Sequence, residues 1–200
     1  MKRILAIAVF SVSACLGAQA LAQLPHQAGD PTTASIDPSG DRGPPSNALP
    51  PDPEGKAVEL RLRGRCADAL PILRRLSNDD RDDIAQFNLG QCLLDLAKTE
   101  PDAQRAAGLK REGAQWVLRM ANKGLPNAQS SLVSVYLDGS GVTPDPVEAG
   151  KWALIFHENG TRLAIGMPDI SSDLQARLDK ALNGETWTQA QSRADKWTPD

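Results

Sequence analysis

The sequence predicts an all-α protein, and three observations carry that expectation. From residue 56 onward apolar residues recur at the three- and four-residue spacing of helices, with no convincing run of strand alternation. A segment of the chain repeats itself. Aromatics are only 4% of the residues, while Gly (16) and Pro (15) are plentiful, a composition that suits close packing of small residues between helices better than a β-sandwich.

The amino terminus reads as an export signal. Lys2 and Arg3 form a positive start, residues 4–12 an apolar run, and Ala20, Leu21 and Ala22 a small-x-small cleavage pattern. That run is too short to span a bilayer, so no membrane span is expected. Cleavage near Ala22 sends the chain to the periplasm or outside the cell. A second processing route stays open, because Val12, Ser13, Ala14 and Cys15 resemble a lipoprotein box in which Cys15 would be lipidated. The formal charge of -3 becomes more negative once Lys2 and Arg3 are removed, which leaves no electrostatic driving force for wrapping nucleic acid.

Residues 23–55 hold eight prolines and only Leu24, Ile36 and Leu49 as large aliphatics. Burial on that scale cannot offset chain entropy of about 1 to 2 kcal/mol per residue, so the segment is expected to be a disordered, Pro-rich tether. His26 lies within it and lacks the fixed surroundings a ligand or catalytic group needs.

The repeat occupies residues 56–160. Ala85, Gln86, Leu89, Leu94 and Asp95 recur as Ala128, Gln129, Leu132, Leu137 and Asp138 at an offset of 43. Glu112 and Trp116 then match Glu148 and Trp152 at an offset of 36, with Gly124 matching Gly160. Two units therefore share both helices and differ by residues inserted around 99–109. Within the second unit Ala128, Leu132 and Tyr136 form an apolar stripe beside Val135. Gly139 and Gly141 end that helix, and Asp145, Pro146 and Glu148 restart the chain as N-cap, N1 and N3 of the next, with the form of a capping box. Trp116 and Trp152 stand at helical spacing beside aliphatics and are expected in the core rather than on a binding platform. Pro71 falls among Leu70, Ile72 and Leu73, so the helix there is expected to start at Asp68 or to carry a kink. After Gly160 the pattern fails at Pro168. Residues 161–200 read as C-terminal capping helices opened by Ser172 with Gln175 and by Thr188 with Gln191.

The run from Ala121 to Trp152, with Gly124, Ala128, Gln129, Leu132, Tyr136, Gly139, Gly141, Val142, Asp145 and Ala149, resembles the Sel-like repeat, a branch of the tetratricopeptide superfamily. Residues 84–124 are similar to a degenerate copy lacking the Gly-x-Gly-Val turn, and residues 67–76 resemble the second helix of an earlier one. The resemblance implies a short right-handed α-solenoid of antiparallel helix pairs, and a non-catalytic adaptor for protein partners in a bacterial cell envelope. An envelope hydrolase or cell-wall ligand binder using the same groove is the alternative, and a purely structural lipoprotein is a third.

No catalytic residues, cofactor or metal ligands are expected. His157 is the only histidine outside the tether and reads as a solvated helical residue, and no nucleophile motif, phosphate loop or metal-ligand spacing appears. Asp79, Asp80, Asp82 and Asp83 read as helix caps rather than a Ca²⁺ loop, since they lack its Gly and spaced ligands. Asn88 and Gln91, with their counterparts Ser131 and Ser134, lie off the apolar stripe on the first helix of each unit and are the candidate contact residues. Simple solvation is their other reading. Cys66 and Cys92 are expected on neighbouring helices of an exported chain, where a disulfide or two buried free thiols are both compatible with the pattern.

Overall fold

A computed structural model describes residues 52–200, and nine helices make up all the regular structure among them. The expected export signal, Cys15 and all but the end of the expected tether lie outside the described residues. The helices are α1 (Pro53–Leu62), α2 (Cys66–Leu76), α3 (Asp83–Thr99), α4 (Ala103–Asn122), α5 (Pro126–Asp138), α6 (Pro146–His157), α7 (Gly160–Ala164), α8 (Ser172–Ala181) and α9 (Gly184–Ala194). The protein is all-α over this range. No helix there is long and apolar enough to cross a membrane.

From α1 to α6 each helix packs on the next. The expected tether boundary moves, because Asp52 caps α1 through a bond from Gly55 N, with Pro53 at the first helical position. Residues 53–55 are thus helical. The reading that α2 starts at Asp68 is also corrected: the helix begins at Cys66 and runs through Pro71 to Leu76. Pro71 is exposed there, so its ring faces solvent rather than a neighbouring helix.

Two apolar clusters meet at α3. Leu60 of α1, Leu73 of α2 and Leu89, Cys92 and Leu93 of α3 belong to one. Phe87 and Leu94 of α3 join Val117 and Met120 of α4, Leu132 of α5 and Trp152 of α6 in the other. A helix buried on two sides needs small residues where its neighbours come closest. Gly90 and Gly113 meet that need. A Cβ on Gly90 would stand 3.0 Å from Gly113 O, and one on Gly113 would stand 2.8 Å from Gly90 O.

The repeated residues occupy repeated places. Ala85 and Ala128, Gln86 and Gln129, and Leu89 and Leu132 are all buried. Each glutamine reaches back to the chain that precedes its own helix: Gln86 Nε2 donates to Asp79 O in the α2–α3 connection at 2.9 Å, and Gln129 Nε2 donates to Ala121 O near the end of α4 at 3.4 Å. Gln129 Oε1 in turn accepts from Asn159 Nδ2 at 2.8 Å. The Asp79 and Ala121 carbonyls each also accept a backbone N–H, from Asp82 and Gly124 respectively, so the glutamine adds a second bond that ties its helix to the preceding turn. The insertion around 99–109 extends the helices on either side of the break at residues 100–102, lengthening α3 to 17 residues against 13 in α5 and α4 to 20 against 12 in α6. The α5–α6 turn folds onto the added length at Gly141, whose φ of +84° brings its Cα so near that a Cβ would stand 2.1 Å from Lys110 O.

Asp145 caps α6 as expected, accepting from Glu148 N at 3.0 Å. The reciprocal half of the capping box is absent, since Asp145 N donates to Tyr136 O while the Glu148 carboxylate turns to Lys151 and Arg193. Trp152 is fully buried and meets Trp197 edge-on, with ring centroids 5.9 Å apart. In the C-terminal part, α8 is capped by Ser171 instead of Ser172. Helix α9 opens at Gly184 with Asn183 and Thr186 forming its capping box, so Thr188 lies inside the helix and its hydroxyl donates to Gly184 O. Both helices cover the end of the array: α9 lays Ala190 against Gly150 of α6, and Leu178 of α8 is buried in the second cluster.

Cys66 at the start of α2 and Cys92 in α3 stand at disulfide distance, with Cα atoms 5.0 Å apart and both residues buried. Closing a loop across a separation of 26 residues stabilises by about 3.5 kcal/mol in the chain-entropy model. Thiol titration of the denatured, exported protein is expected to find no free thiol at these positions, and the double change Cys66→Ser with Cys92→Ser to lower stability by about that amount. A second stability prediction concerns the glutamines. Gln129→Leu removes one bond to the Ala121 carbonyl and one from the Asn159 amide, each of which keeps a bond to Gly124, at an expected cost of about 1 kcal/mol in denaturant unfolding.

Candidate functional site

Helices α3 and α5 run side by side in the same direction. Gln91, Asp95 and Lys98, at successive turns of α3, face Ser131, Ser134 and Asp138 of α5 across a cleft of about 390 Å³. Lys110 of the lengthened α4 and Ser140 of the turn close one end of it. Helices α1 and α3 share this parallel relation, since Glu54 faces the acidic start of α3 near Asp82 while Arg61 reaches Asn88.

Three of the four candidate contact residues are therefore brought together, and the fourth is not. Asn88 is only 4% exposed. Its Oδ1 accepts from Arg61 Nε, and its Nδ2 donates to Ile84 O at 2.7 Å. The reason is α1: its first turn lies in what reads as tether, so the sequence offers no sign that a helix covers this face. Asn88 is a structural link between α1 and α3 and does not line the cleft.

The cleft has a definite hydrogen-bonding character. Ser131 Oγ donates to Asn127 O at 2.8 Å and Ser134 Oγ donates to Ser131 O at 3.0 Å, so both hydroxyl protons are engaged and the oxygen lone pairs remain as acceptors. Gln91 Nε2 is buried without a hydrogen-bond partner among the described residues. Leu94, Ala97 and Val135 supply an apolar floor. At the rim, Lys98 pairs with Asp95 at 2.7 Å, and Asp138 pairs with Arg177 of α8. The cleft thus combines hydroxyl acceptors, paired charges and an apolar strip.

The acidic residues between α2 and α3 act on the fold. Asp82 caps α3 by accepting from Ala85 N at 2.8 Å. Asp83 and Asp80 hold the far end of the next pair, through Lys123 at 2.6 Å and Arg119 at 2.8 Å. No group of three or more His, Cys, Asp or Glu converges to hold a metal among the described residues.

One cluster was not legible in the sequence. His157 at the end of α6 is exposed, at 65% of its side chain, yet its Nδ1 meets Asp169 of the α7–α8 connection. Arg162 of α7 is buried beneath them, donating to His157 O at 2.9 Å, standing 3.4 Å from Asp169 and lying over the Phe156 ring. Twelve residues of separation with an intervening proline conceal this pairing from any periodic pattern. It fastens the segment ahead of α8 to the end of α6.

Two carboxylates of the C-terminal part carry a pH dependence. Partial burial disfavours the charge of Asp145, but Arg193 and the backbone N–H groups of Glu148 and Val147 outweigh it and hold the carboxyl below its ordinary value of 3.8. Burial likewise opposes ionisation of Asp169, and His157, Ile170 N and Arg162 together hold it below 3.8. A depressed folded value means stability fully present above pH 3.8 and lost as pH falls through the lower folded value. Glu54, raised above 4.5 by burial and by Asp82 and Asp52, acts in the opposite sense. Stability measured by denaturant at pH 7 and pH 3 is expected to fall less between the two in Asp145→Asn than in the unaltered protein. An equal fall would contradict the pairing with Arg193.

No known protein family, curated protein or solved structure matches the chain.

Proposed function

We propose that this protein is a non-catalytic protein–protein interaction module of the bacterial cell envelope, a short right-handed α-solenoid of Sel-like helix pairs in which α1–α2, α3–α4 and α5–α6 are successive units and α8 and α9 cap the array. One observation carries the reading. Gln91 and Ser134 are the same repeat position at an offset of 43, and they line one cleft with Ser131 between parallel first helices. Stacked units that present equivalent polar positions along one surface are the arrangement by which helical arrays bind protein segments.

The chemistry of the cleft supports a polypeptide occupant. Backbone N–H groups match the free lone pairs of Ser131 and Ser134. The Cys66–Cys92 geometry fits an oxidising compartment, which agrees with export after cleavage near Ala22 into the periplasm or beyond. No cofactor enters this function.

Envelope extract of the source cells passed over the immobilised mature protein supplies the test. Ser131→Arg combined with Gln91→Arg is expected to weaken capture of the specific partner at least about tenfold, near 1.4 kcal/mol, while the helical circular dichroism is kept. Capture unchanged by these two substitutions would sink the reading. Asn88→Arg is expected instead to lower stability, since it places a second guanidinium against Arg61 at a buried position.

A further inference from the structure

The chain contains two Asn-Gly peptides among the described residues, Asn159–Gly160 and Asn183–Gly184, and both asparagines cap helices. Both following glycines stand in open space, and the two sites differ in the exposure of the asparagine and in the bonds its side chain makes. Asn183 is exposed. Its Oδ1 accepts from two backbone donors at once, Glu185 N at 3.0 Å and Thr186 N at 3.0 Å. Two N–H groups on one carbonyl oxygen polarise the carbon and are already placed to stabilise an oxyanion there. Nδ2 has no hydrogen-bond partner among the described residues, and Gly184 N, at the first helical position, is one of the donors that a helix start leaves open. Gly184 adds no Cβ, and nothing lies within 4 Å of where one would be.

At Asn159 the same atoms are occupied. Nδ2 donates to Gly124 O at 2.9 Å and to Gln129 Oε1 at 2.8 Å, and Oδ1 accepts from a single donor, Arg162 N at 3.0 Å. Rotating this side chain toward its own backbone breaks two bonds to partly buried groups, which the rest of the array holds in place.

We infer that Asn183 is a site of spontaneous covalent modification, deamidation through its own backbone, and that Asn159 is protected from it. Gly184 N gives its proton to solvent and attacks Asn183 Cγ. The new C–N bond closes a cyclic imide as the Cγ–Nδ2 bond breaks, and Nδ2 departs as ammonia with a proton from water. A second water then adds to either imide carbonyl and opens the ring to aspartate or to iso-aspartate, in which the backbone runs through the side-chain carbons. Water is the sole co-reactant and no electron changes hands. Aspartate at 183 keeps an acceptor at the cap, because Asp and Asn cap equally well. Iso-aspartate lengthens the backbone by one carbon at the start of α9 and displaces the helix whose Ala190 rests on Gly150. The modification thus marks the age of the molecule at the cap of the array, independently of the cleft between α3 and α5.

Incubation of the full mature protein at neutral to mildly alkaline pH and body temperature, with peptide mapping by mass spectrometry and enzymatic detection of iso-aspartate over time, tests this. Conversion at Asn183 is expected to be at least about tenfold faster than at Asn159, and Gly184→Ala to slow it by a similar factor while leaving Asn159 unchanged. Gly184→Ala adds its methyl group into open space at the first turn, so the variant folds. Equal rates at the two asparagines, faster conversion at Asn159, or a rate at position 183 indifferent to Gly184→Ala would each overturn the inference.

Discussion

The approach of α3 to α4 at Gly90 and Gly113 sets the geometry on which the rest of the structure depends. With backbone carbonyls standing about where side chains would otherwise be, the two helices pack more closely than any pair of larger residues permits. That closeness lets α3 serve both apolar clusters, giving Leu89 and Leu93 to one and Phe87 and Leu94 to the other. Through α3 the small core around α1 and α2 is joined to the larger one around α5 and α6. A methyl group at either glycine would push the helices apart and separate the two cores along their shared member.

Contacts between successive helix pairs are polar and recur. Gln86 and Gln129 sit at one repeat position, and each bonds a carbonyl in the chain that precedes its own helix. Lys123 then bonds Asp83 and the carbonyl of Asp80, and Asn159 bonds Gly124 and Gln129. Apolar burial supplies the driving force for stacking but is indifferent to small sliding movements. Directional bonds to carbonyls at and between helix ends fix the register, and the register places Gln91 of one unit opposite Ser134 of the next.

The cleft that results is bounded by the irregular features of the chain. The lengthened α4 brings Lys110 to its end, and the turn at Gly139 and Gly141 packs onto that same length. Helix α8 adds Arg177 to Asp138 at the rim. Its placement depends on the segment that His157, Arg162 and Asp169 fasten to α6. An insertion, a glycine turn and a clasp far apart in the chain thus shape one surface.

Much of this was open to reading from residue order. Period and repeat are local properties: the helical class, the match of residues 43 apart, the cap at Asp145 and the burial of Trp152 all follow from spacing along one or two neighbouring helices, whereas the 5.0 Å approach of Cys66 to Cys92 is set by packing. What residue order left open is where a face finds its cover. Asn88 matches the periodic signature of an exposed position, and it is buried because α1, whose start is composed like a tether, crosses it with Arg61. Capping boxes at Ser172 and Thr188 have the right letters, yet Ser171 caps α8 one residue earlier and Asn183 caps α9 five residues earlier, which leaves Thr188 inside the helix. The clasp of His157 with Asp169 joins segments with no common period. Spacing along a helix is set by the backbone and is written in the chain; which side of that helix meets solvent is set by helices arriving from elsewhere, and only their packing assigns it.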